Sequence, residues 1–212
     1  MALTVFARSR MISNLLPQIQ RATHLRRIVS VYGATMESQI DKSDFQAYKL
    51  GRMASYGHVS SIVTLSLEAQ RKATSNVSFI HNFPGAVESG IARGDIGWLM
   101  RVLKTVWGVL GPLVHIPLEE AGERHLFLCT SARFSAGQED EAAGVPLADG
   151  LEVARGTDGK FGSGVYSIDA NGDSEGPKIE KVLAQLRSDG MVEWVQENIE
   201  SSIDGALASG KA

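Results

Sequence analysis

The stretch Val77–Ile91 holds the most chemically suggestive spacing in the chain. An apolar, β-rich run, Val77-Ser78-Phe79-Ile80-His81, leads into Pro84-Gly85, and Val87 and Ser89 follow two and four residues after that glycine. A strand that stops at such a turn and then opens a helix leaves backbone N–H groups free at its carboxyl end. That is where open α/β sheets bind ligands. A second glycine-rich stretch, Gly156–Gly164, lacks this context. It precedes a strand, whereas a phosphate cradle must follow a strand and open a helix, so it reads as a surface loop. Ser60 and Ser61 belong to no Ser-His-Asp arrangement that the sequence can support. Cys129 is the only cysteine, and the five histidines show no ligand spacing such as H-E-x-x-H. No metal site is expected.

The elements that must position these residues follow from periodicity. Leu3, Phe6, Met11, Ile12, Leu15, Leu16 and Ile19 predict a helix over about residues 2–22. Arg27–Gly33 is a β-branched run ending in glycine, hence a strand, and residues 34–54 read as a polar loop. His58–Lys72 predicts a second amphipathic helix, and Val77–Asn82 a second strand. Val87–Leu110 reads as helical segments broken near Gly94 and Gly97, where Trp98, Met100 and Trp107 pack in a core or line a pocket. Glu119–Ser131 predicts a helix with Leu126, Phe127 and Leu128 buried. Ser135–Gly162 reads as a surface loop, Val165–Ile168 as a last strand, and Pro177 as the start of one amphipathic helix through about Ile203. Strands alternating with helices imply an α/β fold with a parallel sheet and right-handed crossovers.

Composition is that of an ordinary globular domain: 212 residues, 43% hydrophobic and 21% charged. Charge is uneven. Residues 1–136 carry 15 Lys/Arg against 9 Asp/Glu, and residues 137–212 carry 6 against 15. The basic part suits a phosphorylated cofactor or an acidic partner, or is simply a solvated face. Arg8, Arg10, Arg21, Arg26 and Arg27, with no acid before Glu37, mimic a transit peptide. The same residues also read as a folded helix. Ile96–Ile116 is long enough to span a membrane, but Arg101, Lys104, Gly108, Gly111 and Pro112 interrupt it, so a buried or interfacial helix is expected. A cytoplasmic protein that contacts neither nucleic acid nor membrane is the expectation.

Five segments, in order, resemble the short-chain dehydrogenase/reductase family, specifically its fungal, retinol-dehydrogenase-like members. They are Asn14–Pro17, Arg27–Val31, the Asp41–Phe45 loop followed by Tyr56, Pro84–Ser89 (P-G-A-V-E-S), and Gly164–Asp169 (G-V-Y-S-I-D). The resemblance covers most of the chain and corresponds to the C-terminal half to two-thirds of the family fold. It implies one incomplete NAD(P)-binding domain over 1–212, a partial Rossmann-like, doubly wound parallel sheet lacking the N-terminal strands and the Gly-rich turn. On this reading the chain begins inside a family helix and is N-terminally truncated.

The resemblance also implies site residues. The family uses a tyrosine as general acid/base with a lysine four residues later, whose charge lowers the tyrosine pKa and which holds the nicotinamide ribose. Tyr56 stands in the tyrosine place and Ser60 in the lysine place, and His58 is a candidate substitute base. Gly33 occupies the place of the carbonyl-orienting serine, with Tyr32 and Thr35 nearby, and the family's helix asparagine falls near Thr4. Pro84, Gly85, Val87 and Ser89 would contact the nicotinamide side of the cofactor. The implied function is an NAD- or NADP-dependent oxidoreductase, binding its cofactor weakly, acting on a small-molecule carbonyl or alcohol in fungal secondary metabolism. The alternative is a catalytically inactive half-domain that acts only through association with a partner. Either way a homo-oligomer is expected, because the helices at about 2–22 and 55–73 would present uncovered apolar faces.

Overall fold

The computed structural model describes residues 1–87, 116–137, 144–174 and 176–210. A wide π-type turn, Ala2–Ala7, runs into helix α1 (Arg8–Arg21). Strand β1 (Arg27–Val31) follows, then α2 (Arg52–Ala73), β2 (Ser78–Asn82) and α3 (Leu118–Thr130). The chain continues through β3 (Val165–Ile168), α4 (Pro177–Ser188) and α5 (Met191–Ala208). The three strands are parallel, in the order β1-β2-β3. This is the α/β architecture the alternation predicts, consistent with a partial Rossmann-like sheet.

Both sheet faces are covered, which is why β2 and β3 are buried along their whole length. Alternation along each strand sends Ile28, Phe79 and Val165 to one face and Val29, Ile80, Tyr166 and Ile168 to the other. The first set joins a large core with Ile12 and Leu16 of α1, Val59, Ile62, Val63, Leu65 and Leu67 of α2, and Val195 and Ile199 of α5. The second set packs with Leu128 of α3, Phe134 and Ala154. Tyr166 closes this smaller core, its hydroxyl donating to the Ser135 carbonyl at 2.7 Å.

α2 is central. Every residue from Gly57 to Glu68 is buried. Its apolar face, expected to need a partner subunit, is covered by α5 of the same chain. Met11 and Leu15 of α1 remain exposed.

Three sequence expectations require correction. The single C-terminal helix is two helices, because Gly190 takes the left-handed conformation (φ 70°) and turns the chain between α4 and α5. Leu126, expected in the core, is 64% exposed, Phe127 is only partly covered, and of the three only Leu128 points inward. A helix that packs on one face cannot bury three consecutive residues. The stretch from Ser135 is not purely a surface loop, since Ser135, Ala136, Ala154 and Thr157 are buried, Ala154 within the second core. The expected helices within 87–110, with Trp98, Met100 and Trp107, lie outside the described residues, as does nearly all of Ile96–Ile116. Among the described residues no helix is long and apolar enough to cross a membrane.

Candidate functional site

The carboxyl end of the sheet is where the chemistry-bearing residues converge. On the α2 side, the positions named by spacing meet. Tyr56 and Ser60 lie one helical turn apart and both close over Gly33, just beyond β1. A Cβ at position 33 would sit 2.6 Å from Tyr56 Cε1 and 2.8 Å from Cζ, and would overlap Ser60 Oγ. Ser60 is fully buried, and its hydroxyl has no hydrogen-bond partner among the described residues. The Tyr56 ring packs on Tyr32 with centroids 4.9 Å apart. The Tyr56 hydroxyl faces the Tyr32 carbonyl at 3.4 Å. Burial raises the Tyr56 phenol above its ordinary pKa, and no cation opposes it. At neutral pH this group is a proton donor and not a base.

His58 does not join this group. Its Nδ1 accepts from the Asp41 N–H (3.2 Å), and its Nε2 faces the Phe45 carbonyl (3.1 Å). With both ring nitrogens engaged, the buried imidazole fastens the 34–51 loop to α2. The two bonds select the tautomer with the proton on Nε2.

One turn beyond Ser60 lies a polar cluster that sequence reading did not find. Register places Ser30, His81 and Ser167 side by side across the sheet, facing α2. Glu37 Oε1 accepts from Ser167 Oγ (2.6 Å) and from Thr64 Oγ1 (2.7 Å). Thr64 Oγ1 is also 2.8 Å from His81 Nδ1. Because the threonine gives its one proton to Glu37, its oxygen accepts from His81 Nδ1–H. Ser167 Oγ in turn accepts the Thr35 N–H at 2.9 Å. Thr35 has φ +63°, an uncommon conformation for a β-branched residue.

Burial raises the Glu37 pKa, but the neighbouring His81 and the hydrogen bonds from Ser167 and Thr64 outweigh that effect and hold it below the ordinary value. Complete burial pushes His81 down, against the pull of Glu37 and with a small contribution from Arg8. The pair lies 3.6 Å apart in ion-pair geometry. The stronger effect for His81 is loss of water, so its neutral form beside an ionised Glu37 is the state at neutral pH. Signals for this cluster were present: polar residues recur at Tyr56, Ser60, Thr64 and Glu68, a four-residue step along a buried helix, and His81 sits inside an apolar strand.

Both depressed values carry the same sign. The unfolded chain binds a proton below about pH 6.5, the ordinary histidine value, while native His81 does not. Glu37 behaves likewise below its own ordinary value. Their stabilisation is fully present above pH 6.5 and falls as the pH drops. Urea unfolding between pH 7.5 and 5 should therefore lose stability, at up to about 1.4 kcal/mol per pH unit from His81. In His81→Phe that slope should flatten. An unchanged slope would refute the assignment.

On the α3 side of the same edge, Pro84 and Gly85 turn the chain beside the Asp169–Gly172 turn. Asn82 Nδ2 donates to the Asp169 carbonyl (3.2 Å), and the Phe83 N–H to the Ile168 carbonyl (3.0 Å). Gly85 has φ +78°, and a Cβ there would sit 2.6 Å from Ile116 Cδ1. Val87 is bridged to Ile116. Ser89 lies outside the described residues. A cleft of about 220 Å³ opens here, lined by Asn82, Pro84, Arg124, Phe127, Asp169 and Asn171 among others. The Asn82 Oδ1 acceptor is buried and has no partner among the described residues. The Gly156–Gly164 stretch lies away from this edge, as a tight turn ahead of β3. Gly156 N–H donates to the Lys160 carbonyl, and Thr157 N–H to Val165. No group of His, Cys, Asp and Glu among the described residues could hold a metal ion.

Comparison with known proteins places this edge in context. The chain is 35% identical over 209 residues to oxidoreductase AN1596 of Emericella nidulans, covering 97% of the chain and 61% of that relative. It is 28% identical to the NmrA-like family domain-containing oxidoreductase notO of an Aspergillus species, covering all of the chain and 59% of the relative. It is 26% identical to short-chain dehydrogenase/reductase SAT2 of Stachybotrys chartarum, over 82% of the chain and 50% of the relative. The chain is a homologue of fungal oxidoreductases. It spans half to three-fifths of these relatives' own length, and no family profile matches it.

Proposed function

We propose that this oxidoreductase homologue contributes the substrate side of a short-chain dehydrogenase/reductase-type site, in which a small carbonyl compound is reduced at the expense of NADPH or NADH. The observation that carries the reading is the convergence of Tyr56, Ser60 and Gly33 at the carboxyl edge of a parallel sheet, with a Pro-Gly turn and a cleft on the α3 side of the same edge. Two positions one helical turn apart on α2 meet a distant glycine beyond β1, at the spot where this architecture binds ligands. The names of the relatives support the same chemistry.

The residues fit one end of a nicotinamide cofactor. The cleft at Pro84 is smaller than the ~300–1,000 Å³ typical of whole-ligand pockets, and suits a ring and its immediate attachments. Asn82 Oδ1 is the acceptor on offer for a carboxamide N–H, with the Pro84-Gly85 backbone alongside. The described residues contain no Gly-rich turn between a strand and a helix for the pyrophosphate. A reduced nicotinamide supplies hydride when bound. The chain's own part is to orient the carbonyl, exclude water through the packed tyrosines and deliver a proton to the carbonyl oxygen.

Weak binding follows. The chain should bind NADPH with a dissociation constant above roughly 100 μM, about −5.5 kcal/mol or weaker. Calorimetric titration at millimolar cofactor measures this, and low-micromolar affinity would contradict it. Hydride transfer is tested with NADPH deuterated at C4 and a panel of ketones and aldehydes. Deuterium on the product carbinol carbon is the expected result. No cofactor oxidation at millimolar NADPH would defeat the proposed function.

A further inference from the structure

The cation that the lysine place no longer supplies is found at a neighbouring phenol. Ser60 leaves Tyr56 without a charged neighbour. Arg8 of α1, by contrast, is tied to the end of β1. Its Nη1 donates to Ser30 Oγ (2.5 Å) and its Nη2 to the Val31 carbonyl (2.9 Å). The guanidinium carbon lies 6.0 Å from the centre of the Tyr32 ring. Tyr32 packs against Tyr56 with the rings tilted by 35° and lies nearly parallel to the His81 imidazole, centroids 6.5 Å apart. The hydroxyls differ as well. That of Tyr56 faces a backbone carbonyl, whereas that of Tyr32 makes no hydrogen bond among the described residues and sits on a half-buried residue.

We propose that Tyr32, with Arg8 over its ring, is the proton donor of this site, and that Tyr56 is a positioning residue whose ring packs against it. The proposal rests on the carbonyl-reduction reading. Hydride from the reduced nicotinamide forms the new C–H bond, and the carbonyl π pair moves onto oxygen. The Tyr32 O–H bond breaks and its proton passes to that oxygen. The phenolate is left beside the Arg8 guanidinium, whose positive charge stabilises it, and solvent water returns the proton. The groups facing Tyr32 are Arg8 from α1, Tyr56 from α2 and His81 from β2. Burial and the neighbouring Tyr56 raise the Tyr32 phenol, and Arg8 works against them.

The test is an absorbance titration of phenolate in the complete chain, which has four tyrosines, over the range where circular dichroism shows it folded. Arg8→Met should move one phenol upward by about half a pH unit or more, on a reference value near 10. Arg8→Lys should restore most of that shift, and Tyr32→Phe should abolish the response to Arg8→Met. A response that survives Tyr32→Phe, or no response at all, overturns the pairing. In NADPH-dependent carbonyl reduction, Tyr32→Phe should lower kcat at least tenfold with KM retained, and Tyr56→Phe should do less. The reverse order overturns the donor assignment. A wild-type chain without activity defeats the carbonyl-reduction reading and the donor role with it, while the titration still decides whether Arg8 is the charge partner of Tyr32.

Discussion

Glu37→Ala is expected to lower the unfolding free energy by about 2–6 kcal/mol, because two buried hydroxyl donors lose their acceptor. One carboxylate oxygen takes hydrogen bonds from Thr64 of α2 and Ser167 of β3, and Thr64 links it to His81 of β2. All four side chains are buried. Alanine would leave these donors without an acceptor in a site closed to water, and each unsatisfied group costs about 1–3 kcal/mol. The backbone suffers too, since Ser167 also holds the Thr35 N–H at a residue with φ +63°. Glu37→Gln retains an acceptor oxygen and should cost roughly half as much. At ~2–4 °C per kcal/mol for a chain of this size, the alanine variant should melt about 10 °C lower. Urea unfolding of the three proteins decides it. A cost for alanine below about 1 kcal/mol, within the range of an ordinary single substitution, would show that this carboxylate does not hold the strand ends together.

The fold was legible where one physical signal dominated. β1, β2 and β3 are short β-branched or aromatic runs bounded by turn residues, and each lies within a residue or two of where pattern alone put it. α2 was found from its apolar repeat, although it begins earlier, at Arg52. Local pattern could not show how α2 is covered. Its uncovered face was inferred by assuming that a partner completes the structure. The turn at Gly190 instead folds α5 back over α2, and a glycine after Ser188-Asp189 was the available clue.

The site was legible in part, for a related reason. Tyr56, Ser60 and Gly33 were located by motif spacing, and the fold does bring them together. Pro84 and Gly85 do turn at the edge of the sheet. An imidazole two residues from a tyrosine suggests acid–base chemistry at His58, but two backbone bonds to the 34–51 loop occupy it. Glu37, Thr64, His81 and Ser167 come from a loop, a helix and two strands; the polar step along α2 and a histidine within a strand mark two of them, but only the sheet register joins the four. Arg8 precedes Tyr32 by a helix and a strand, and only the packing of α1 on the β1 end places its charge there.

Restoring the residues that the short-chain family uses should harm this chain before it helps. In Gly33→Ser the new Cβ would lie 2.6 Å from Tyr56 Cε1 and overlap Ser60 Oγ. Neither neighbour has free space, since Ser60 is fully buried and Tyr56 is packed on Tyr32. The Tyr56 ring must swing out, at an overpacking cost of about 1–3 kcal/mol and with loss of a ring pair worth about 0.5–1.5 kcal/mol. Ser60→Lys adds a long cationic side chain at the same place, where it must either lose its hydration or displace Tyr56 to reach water. The two positions touch the same ring, so the double variant should cost less than the two single costs together. Turnover should not rise above that of the parent either, because catalytic groups that act as a unit are not rebuilt one at a time. Thermal unfolding and NADPH oxidation with a carbonyl panel test both parts. A double variant as stable as the parent, turning over above roughly 1 s⁻¹, an ordinary enzymatic rate, would mean that the crowding at Gly33 yields easily and that the missing charge at position 60 was the only defect.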